Sequence, residues 1–204
     1  MQEPSDVTLE SIDVRMIAIE KHFVNSPGHT RQVALRAQKL LDRIEFQAVW
    51  RYLDVGCGVG ATASEIAKRS GLDVTGIDVD PSQIEAAQAR GAHPHLHFMV
   101  MDATKLQFQD AEFDIVAASM VTHHVPRWEQ AFSEMMRVLR PGGYLLYSDF
   151  MFPSWLAAAG RRLIHFFGIP STKRVESLAS KAGLTKFHQA HAGLHFDFIW
   201  LRNS

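Results

Sequence analysis

Cysteine is almost absent from this chain. Cys57 is the only one in 204 residues, so no disulfide can close within it, and the usage fits a reducing compartment. A charge excess is also missing: 21 Lys and Arg against 22 Asp and Glu leave a net charge of −1. That balance favours neither nucleic acid nor an anionic membrane as a partner. No apolar run reaches the roughly 20 residues that span a bilayer. The longest candidate, Tyr144 to Gly160, is interrupted by Asp149 and Pro153. The N-terminus carries Glu3, Asp6 and Glu10 and lacks the basic-then-apolar order of a secretory leader. The expectation is a soluble, cytoplasmic protein. Internal repeats, low-complexity tracts and a second-domain linker are absent as well. The 11 histidines are numerous but show no ordered ligand spacing, and Pro94 breaks the suggestive run His93-Pro94-His95-Leu96-His97, so no metal is expected.

With 47% apolar residues, the chain has enough material for a sizeable core in one domain spanning 1–204. Residues 1–45 read as an amphipathic helical cap, broken at Asn25-Ser26-Pro27-Gly28. From Trp50 the pattern alternates. Strands are expected at Arg51–Val55, Leu72–Asp78, His95–Asp102, Phe113–Ser119 and Tyr144–Asp149. Helices are expected at Thr62–Ser70, from Pro81 to Gly91, and over Trp128–Leu139, the last stopped by Pro141-Gly142-Gly143. Such alternation implies parallel strands joined by right-handed crossovers, hence an α/β sheet with helices on both faces over 50–150. After Phe150 the alternation lapses, and 151–183 reads as a substrate-side cover ending in a helix over Ser171–Ala182. Two closing strands within 184–204 are joined by few residues, which permits an antiparallel hairpin.

The run Gly56-Cys57-Gly58-Val59-Gly60 follows the first strand and precedes a helix. Glycines there allow a tight turn and a close approach of ligand to backbone. With Ala61 the run also satisfies the dinucleotide pattern, so a nicotinamide-dependent oxidoreductase remains open at this point. Aspartates argue against it. A pyrophosphate brings about two negative charges to the helix N-terminus. Here Asp54 precedes the turn, no Lys or Arg follows until Lys68, and Asp102 and Asp149 end neighbouring strands. A clustered negative field suits a ligand with cationic groups and no phosphate. Asp78 lies about one strand-helix-strand unit on, where an acidic side chain accepts from ribose hydroxyls, and Asp102 is placed to accept from an adenine amino group.

These blocks, together with Phe113-Asp114-Ile115-Val116 and Val138-Leu139-Arg140-Pro141-Gly142-Gly143, resemble class I S-adenosylmethionine-dependent methyltransferases, and most closely the branch acting on small molecules such as quinone and lipid precursors. The resemblance runs from about Trp50 to the C-terminus. It implies a Rossmann-like, doubly wound, seven-stranded sheet that is mostly parallel, with an antiparallel last strand. It implies S-adenosylmethionine as cofactor and S-adenosylhomocysteine as product. It places Gly56, Cys57 and Gly58 along the methionine part of the cofactor and Asp54 at its ammonium. Asp78 would sit on both ribose hydroxyls, Val79 against the adenine, Asp102 and the Ala103 N–H at the adenine edge, and Ser119 at the methionine end.

Transfer from a sulfonium is an in-line displacement governed by alignment and exclusion of water. An oxygen or nitrogen nucleophile adds the need for a base. Candidates are His123 and His124, just past the fourth strand, and Asp149; for the two histidines the competing reading is packing of the loop. The aromatic stretch from Phe150 to Phe167 reads as a wall for an apolar acceptor, a membrane-surface contact, or a core helix. A cofactor-binding protein without methyl transfer is the remaining alternative. Neither the acceptor nor the oligomeric state is readable.

Overall fold

The structure, a computed structural model, describes residues 25–155 and 168–204. The first half of the expected helical cap, including His22 and Phe23, and the aromatic stretch from 156 to 167 lie outside those residues. The described chain opens with α1 (Pro27–Leu41), started by Pro27 and by Ser26, whose hydroxyl accepts from the His29 N–H. Then follow β1 (Arg51–Val55), α2 (Ala61–Ser70), β2 (Asp73–Asp78), α3 (Pro81–Gln88), β3 (Leu96–Val100) and β4 (Phe113–Ser119). A 3-10 turn at Thr122–His124 leads to α4 (Trp128–Val138), β5 (Leu139–Phe150), α5 (Thr172–Lys181), β6 (Leu184–Ala192) and β7 (His195–Arg202).

The seven strands form one sheet in the order β3-β2-β1-β4-β5-β7-β6. Strands β1 to β5 pair in parallel, while β7 runs antiparallel to both β5 and β6. The expected seven-stranded sheet and closing hairpin are both present. Side chains alternate between two cores. Leu53 and Val55 join Trp128, Phe132 and Met135 of α4 and Val175 of α5 on one face. Tyr52 joins Leu40 and Leu41 of α1 and Ile66 of α2 on the other. Near-continuous apolar strands are what a sheet covered on both faces requires.

Three elements differ from the sequence reading by more than one residue at a boundary. The third strand is shorter, Leu96–Val100, so Asp102 lies just beyond it. Helix α3 ends at Gln88, because Ala89 and Arg90 already turn back onto Glu85 and Ala87. Pro141-Gly142-Gly143 does not separate helix from strand; β5 begins at Leu139 and passes through it, absorbing the extra residues in a register shift opposite Phe113 and Ile115.

Two of the resembling blocks meet at the end of the sheet away from the glycine turn. Asp114 accepts from the Arg51 N–H at 2.7 Å and pairs with Arg140 at 2.7 Å, and the Arg140 guanidinium lies 4.7 Å from the Trp50 ring centre. Their role is to fix the starts of β1, β4 and β5. Among the described residues, no helix is long and apolar enough to cross a membrane.

Candidate functional site

Strand β1 pairs with β2 on one side and β4 on the other, so the chain's winding reverses beside it. A crevice opens at such a switch point, beyond the carboxyl ends of the strands. Here it is a cavity of about 720 Å³, running from His29 and Val33 of α1 across the glycine turn to Asp102 and Thr104. Of the residues singled out from sequence, Asp54, Gly56, Cys57, Gly58, Asp78, Val79, Asp102, Ala103, Ser119 and His124 line it. His123 and Asp149 are not on its wall.

The turn is built so that backbone, not side chains, faces the cavity. Gly56 has φ of 69°, and a Cβ there would come within 2.5 Å of Val121. Gly58 has φ of 52° and no atom within 4 Å of where its Cβ would be. Glycine is thus required at the first for packing and at both for conformation. The turn is tied down by the Cys57 N–H donating to the Ile77 carbonyl at 2.8 Å and the Gly58 N–H donating to Asp78 Oδ2 at 3.0 Å. The other Asp78 oxygen accepts from the Asp80 N–H at 2.9 Å. A carboxylate oxygen accepts about two donors, so these bonds are compatible with further ones to a ligand's hydroxyls. Asp102 Oδ1 accepts from the Thr104 N–H at 2.7 Å.

Asp54 stands apart. It is 3% exposed, and its Oδ2 has no hydrogen-bond partner. Burial, and then the nearby Asp78 charge, pushes its carboxyl up to about 7. A buried, unsatisfied carboxylate is costly unless a donor arrives. On a cavity wall it fits a ligand that brings an ammonium and does not fit a phosphate.

At the end of β5, Asp149 is enclosed rather than turned to a substrate. It is 1% exposed, and its oxygens accept from the Thr122 N–H at 2.7 Å, the Thr122 hydroxyl at 2.6 Å, the Phe150 N–H at 2.8 Å and His123 Nδ1 at 2.5 Å. Burial alone would push this carboxyl up, but the hydrogen bonds from His123, Thr122 and Phe150 outweigh it and hold the group below the usual range. Asp149, a candidate base from sequence, is thus enclosed by four donors and stands off the cavity wall, as does His123, which packs against the wall residue His124. That ring lies 3.9 Å from His124, centre to centre, and 5.3 Å from Phe150. His124 is depressed to about 4 by burial first and by the neighbouring His123 second.

Sequence reasoning missed several contributors. The family resemblance implies that the N-terminal helices close over the cofactor near His22, Phe23, His29 or Arg31; His29 does line the cavity, and so do Thr30 and Val33, whose helical spacing signals only an amphipathic helix. Met120 lines the cavity at φ of 60°, unusual for a side chain with a Cβ, and its N–H donates to the Ser148 carbonyl at 2.7 Å. Nothing in the sequence marks that conformation. Thr122 and Tyr147 appear as ordinary strand and loop residues until β4 and β5 bring them to Asp149. Among the described residues, no group of His, Cys, Asp and Glu is arranged to hold a metal ion.

Residues 53–147 match the family model described as a methyltransferase domain. The chain is 34% identical over 158 residues to the methyltransferase GfsG of Streptomyces halstedii, covering 72% of this chain and 57% of that protein. It is 36% identical over 133 residues to the 27-O-demethylrifamycin SV methyltransferase of Amycolatopsis mediterranei, covering 61% and 48%. It thus spans about half the length of these curated relatives. The putative methyltransferase solved in complex with the Haloferax volcanii Trm112 methyltransferase activator shares the fold, with a TM-score of 0.73 at 17% identity over 91% of this chain and 98% of that one. The matched stretch runs from the strand carrying Asp54 to Tyr147, and so takes in the glycine turn, nearly all the parallel pairing and most of the cavity; over residues 53–147 the chain carries a methyltransferase domain, and methyltransferases of small molecules are among the proteins it resembles.

Proposed function

We propose that this chain methylates a hydroxyl on a small, largely apolar acceptor, with His123, whose ring packs against the wall residue His124, taking the hydroxyl proton once the acceptor reaches past that wall. S-adenosylmethionine supplies an electrophilic methyl group and yields S-adenosylhomocysteine. The unpartnered Asp54 oxygen supports the fit of that cofactor, because its ammonium is the donor the carboxylate lacks. In this reading Gly56, Cys57 and Gly58 flank the methionine part, with Ser119 beside it. Asp78 takes the ribose hydroxyls, Val79 packs on the adenine, and Asp102 with the Ala103 N–H meets the adenine edge.

The observation that carries the proposal is the bond from His123 Nδ1 to buried Asp149. A carboxylate there holds the imidazole in the Nδ1–H tautomer and leaves the Nε2 lone pair to accept a proton. Loop packing would not demand that a carboxylate be buried to orient one ring. The acceptor's O–H proton would go to His123 Nε2 as its oxygen takes the methyl group that the cofactor would supply. His124 holds a proton too weakly to be the base at neutral pH and serves as a neutral wall. The apolar residues beside it, Val33, Val121 and Val125, line the same cavity and suit an apolar skeleton.

The test measures S-adenosylhomocysteine release over a panel of phenols and hydroxylated lactones, with calorimetry for cofactor binding. His123→Gln should lower turnover by about 100-fold or more and leave cofactor affinity intact. His124→Gln should cost far less. Turnover near wild type in His123→Gln would sink the assignment.

A further inference from the structure

We infer that Thr122 and Tyr147 complete a directional hydrogen-bond chain, Tyr147 to Thr122 to Asp149, that positions His123 and tunes how readily it accepts a proton. The inference rests on the reading of His123 as proton acceptor.

Direction follows from counting hydrogens. The Thr122 hydroxyl has one proton, and it contacts Asp149 Oδ2 at 2.6 Å. An ionised carboxylate only accepts, so the hydroxyl donates there. The Tyr147 hydroxyl, hydrogen-bonded to the same Thr122 oxygen, must then donate into it. Tyr147 keeps its proton, because burial first and the Asp149 charge second push the phenol well above its ordinary value. All three side chains are essentially sealed: Thr122 and Tyr147 are 0% exposed and Asp149 is 1% exposed. No water competes for these bonds, and in such surroundings each bond polarises the next.

The far end of the chain is the face of Asp149 that meets His123. Donors on Oδ2 draw charge away from Oδ1, weakening its hold on a protonated imidazole. With the Thr122 hydroxyl removed, more charge stays on Oδ1, and His123 binds its proton more tightly. His123 is also faced by His29 from α1 and by His124 from its own turn; a proton on either would act in the opposite sense, burial holds both below the ordinary imidazole range, and changes at Thr122 or Tyr147 touch neither. Thr122 and Tyr147 touch neither cofactor nor acceptor in this scheme; they are positioning residues.

The experiment follows the His123 imidazole by NMR titration in the full chain without cofactor, assigned with His123→Gln. It compares wild type, Thr122→Val, Thr122→Ser and Tyr147→Phe. Thr122→Val should raise the His123 midpoint by about half to one pH unit. Tyr147→Phe should shift it the same way by less, and Thr122→Ser should return it to the wild-type value. The acid limb of the turnover profile should move with the midpoint. Unchanged midpoints in Thr122→Val and Tyr147→Phe would overturn the chain, even with lowered thermal stability, since that is what a packing role alone produces. Should Thr122→Val not fold, Tyr147→Phe, which removes a single oxygen, decides by itself. Wild-type turnover in His123→Gln would remove the proton-acceptor reading, while the midpoints still decide whether the chain exists.

Discussion

Replacing Asp54 by asparagine should stabilise the cofactor-free protein at alkaline pH and cripple cofactor binding. The carboxyl moves from 3.8 to about 7 on folding, through burial and then the Asp78 charge. A raised acid means that the folded state holds a proton which the unfolded chain releases at lower pH. Stability is therefore fully present below about pH 4 and is lost as pH rises through about 7, a window of about three pH units. At about 1.4 kcal/mol per unit this amounts to about 4 kcal/mol. For a chain of this size, a melting difference on the order of 10 °C follows. The amide in Asp54→Asn does not titrate, so the variant's advantage over wild type should grow between about pH 4 and about pH 7 and level off above, as read by differential scanning calorimetry without cofactor. Titration of S-adenosylhomocysteine at about pH 6.5, in buffers of differing ionisation enthalpy, should release about three-quarters of a proton in wild type and none from this source in the variant. Losing the ammonium's charged partner should weaken binding by roughly 30- to 150-fold, from about 2–3 kcal/mol. A melting difference that does not change with pH, together with no proton release, would refute the reasoning.

Other outcomes follow from the same geometry. Gly58→Ala should fold at a cost of about 1 kcal/mol for its left-handed backbone yet lose cofactor affinity, because its methyl projects into open space; calorimetry and urea melts separate the two effects. Gly56→Ala should instead lower stability more, since its methyl would collide with Val121. Phe132→Ala should cost about 3–5 kcal/mol in urea unfolding. That ring is fully buried and meets Tyr147 and Trp200 edge-on at 5.3 and 5.9 Å. Arg174→Ala breaks an ion pair with Glu129 that is partly open to water and should change stability by less than about 1 kcal/mol.

Much of the fold was legible because its signals are local. Near-continuous apolar strands, the Asp80-Pro81 cap and the glycine turn each announce themselves within a few residues, and Asp80 does accept from the Ser82 N–H. The glycine pattern alone left the ligand open, as it also satisfies the dinucleotide form; the aspartates and then the match over 53–147 resolved it. Tertiary facts were not legible from the residues themselves. That α1 supplies cavity wall was expected only from the family resemblance, because it depends on how the helix crosses the sheet. That Asp114 and Arg140 brace the far end depends on β4 and β5 lying side by side. Helix α3 and β5 changed length where backbone pairing overrode residue preference.

The least legible point concerns two aspartates that look alike in sequence. Asp54 and Asp149 each sit next to last in a buried strand and point past the same sheet edge. Burial pushes both upward, yet Asp54 rises to about 7 and Asp149 falls. The difference lies in donors: Asp149 has four, all from this chain, while one Asp54 oxygen has none. A carboxylate satisfied internally is fixed in charge and orientation, which suits holding a histidine through many turnovers. A carboxylate left unsatisfied is completed only by a cation from outside, which suits holding a cofactor that comes and goes. Donor count at buried acids thus assigns the two roles that strand position could not.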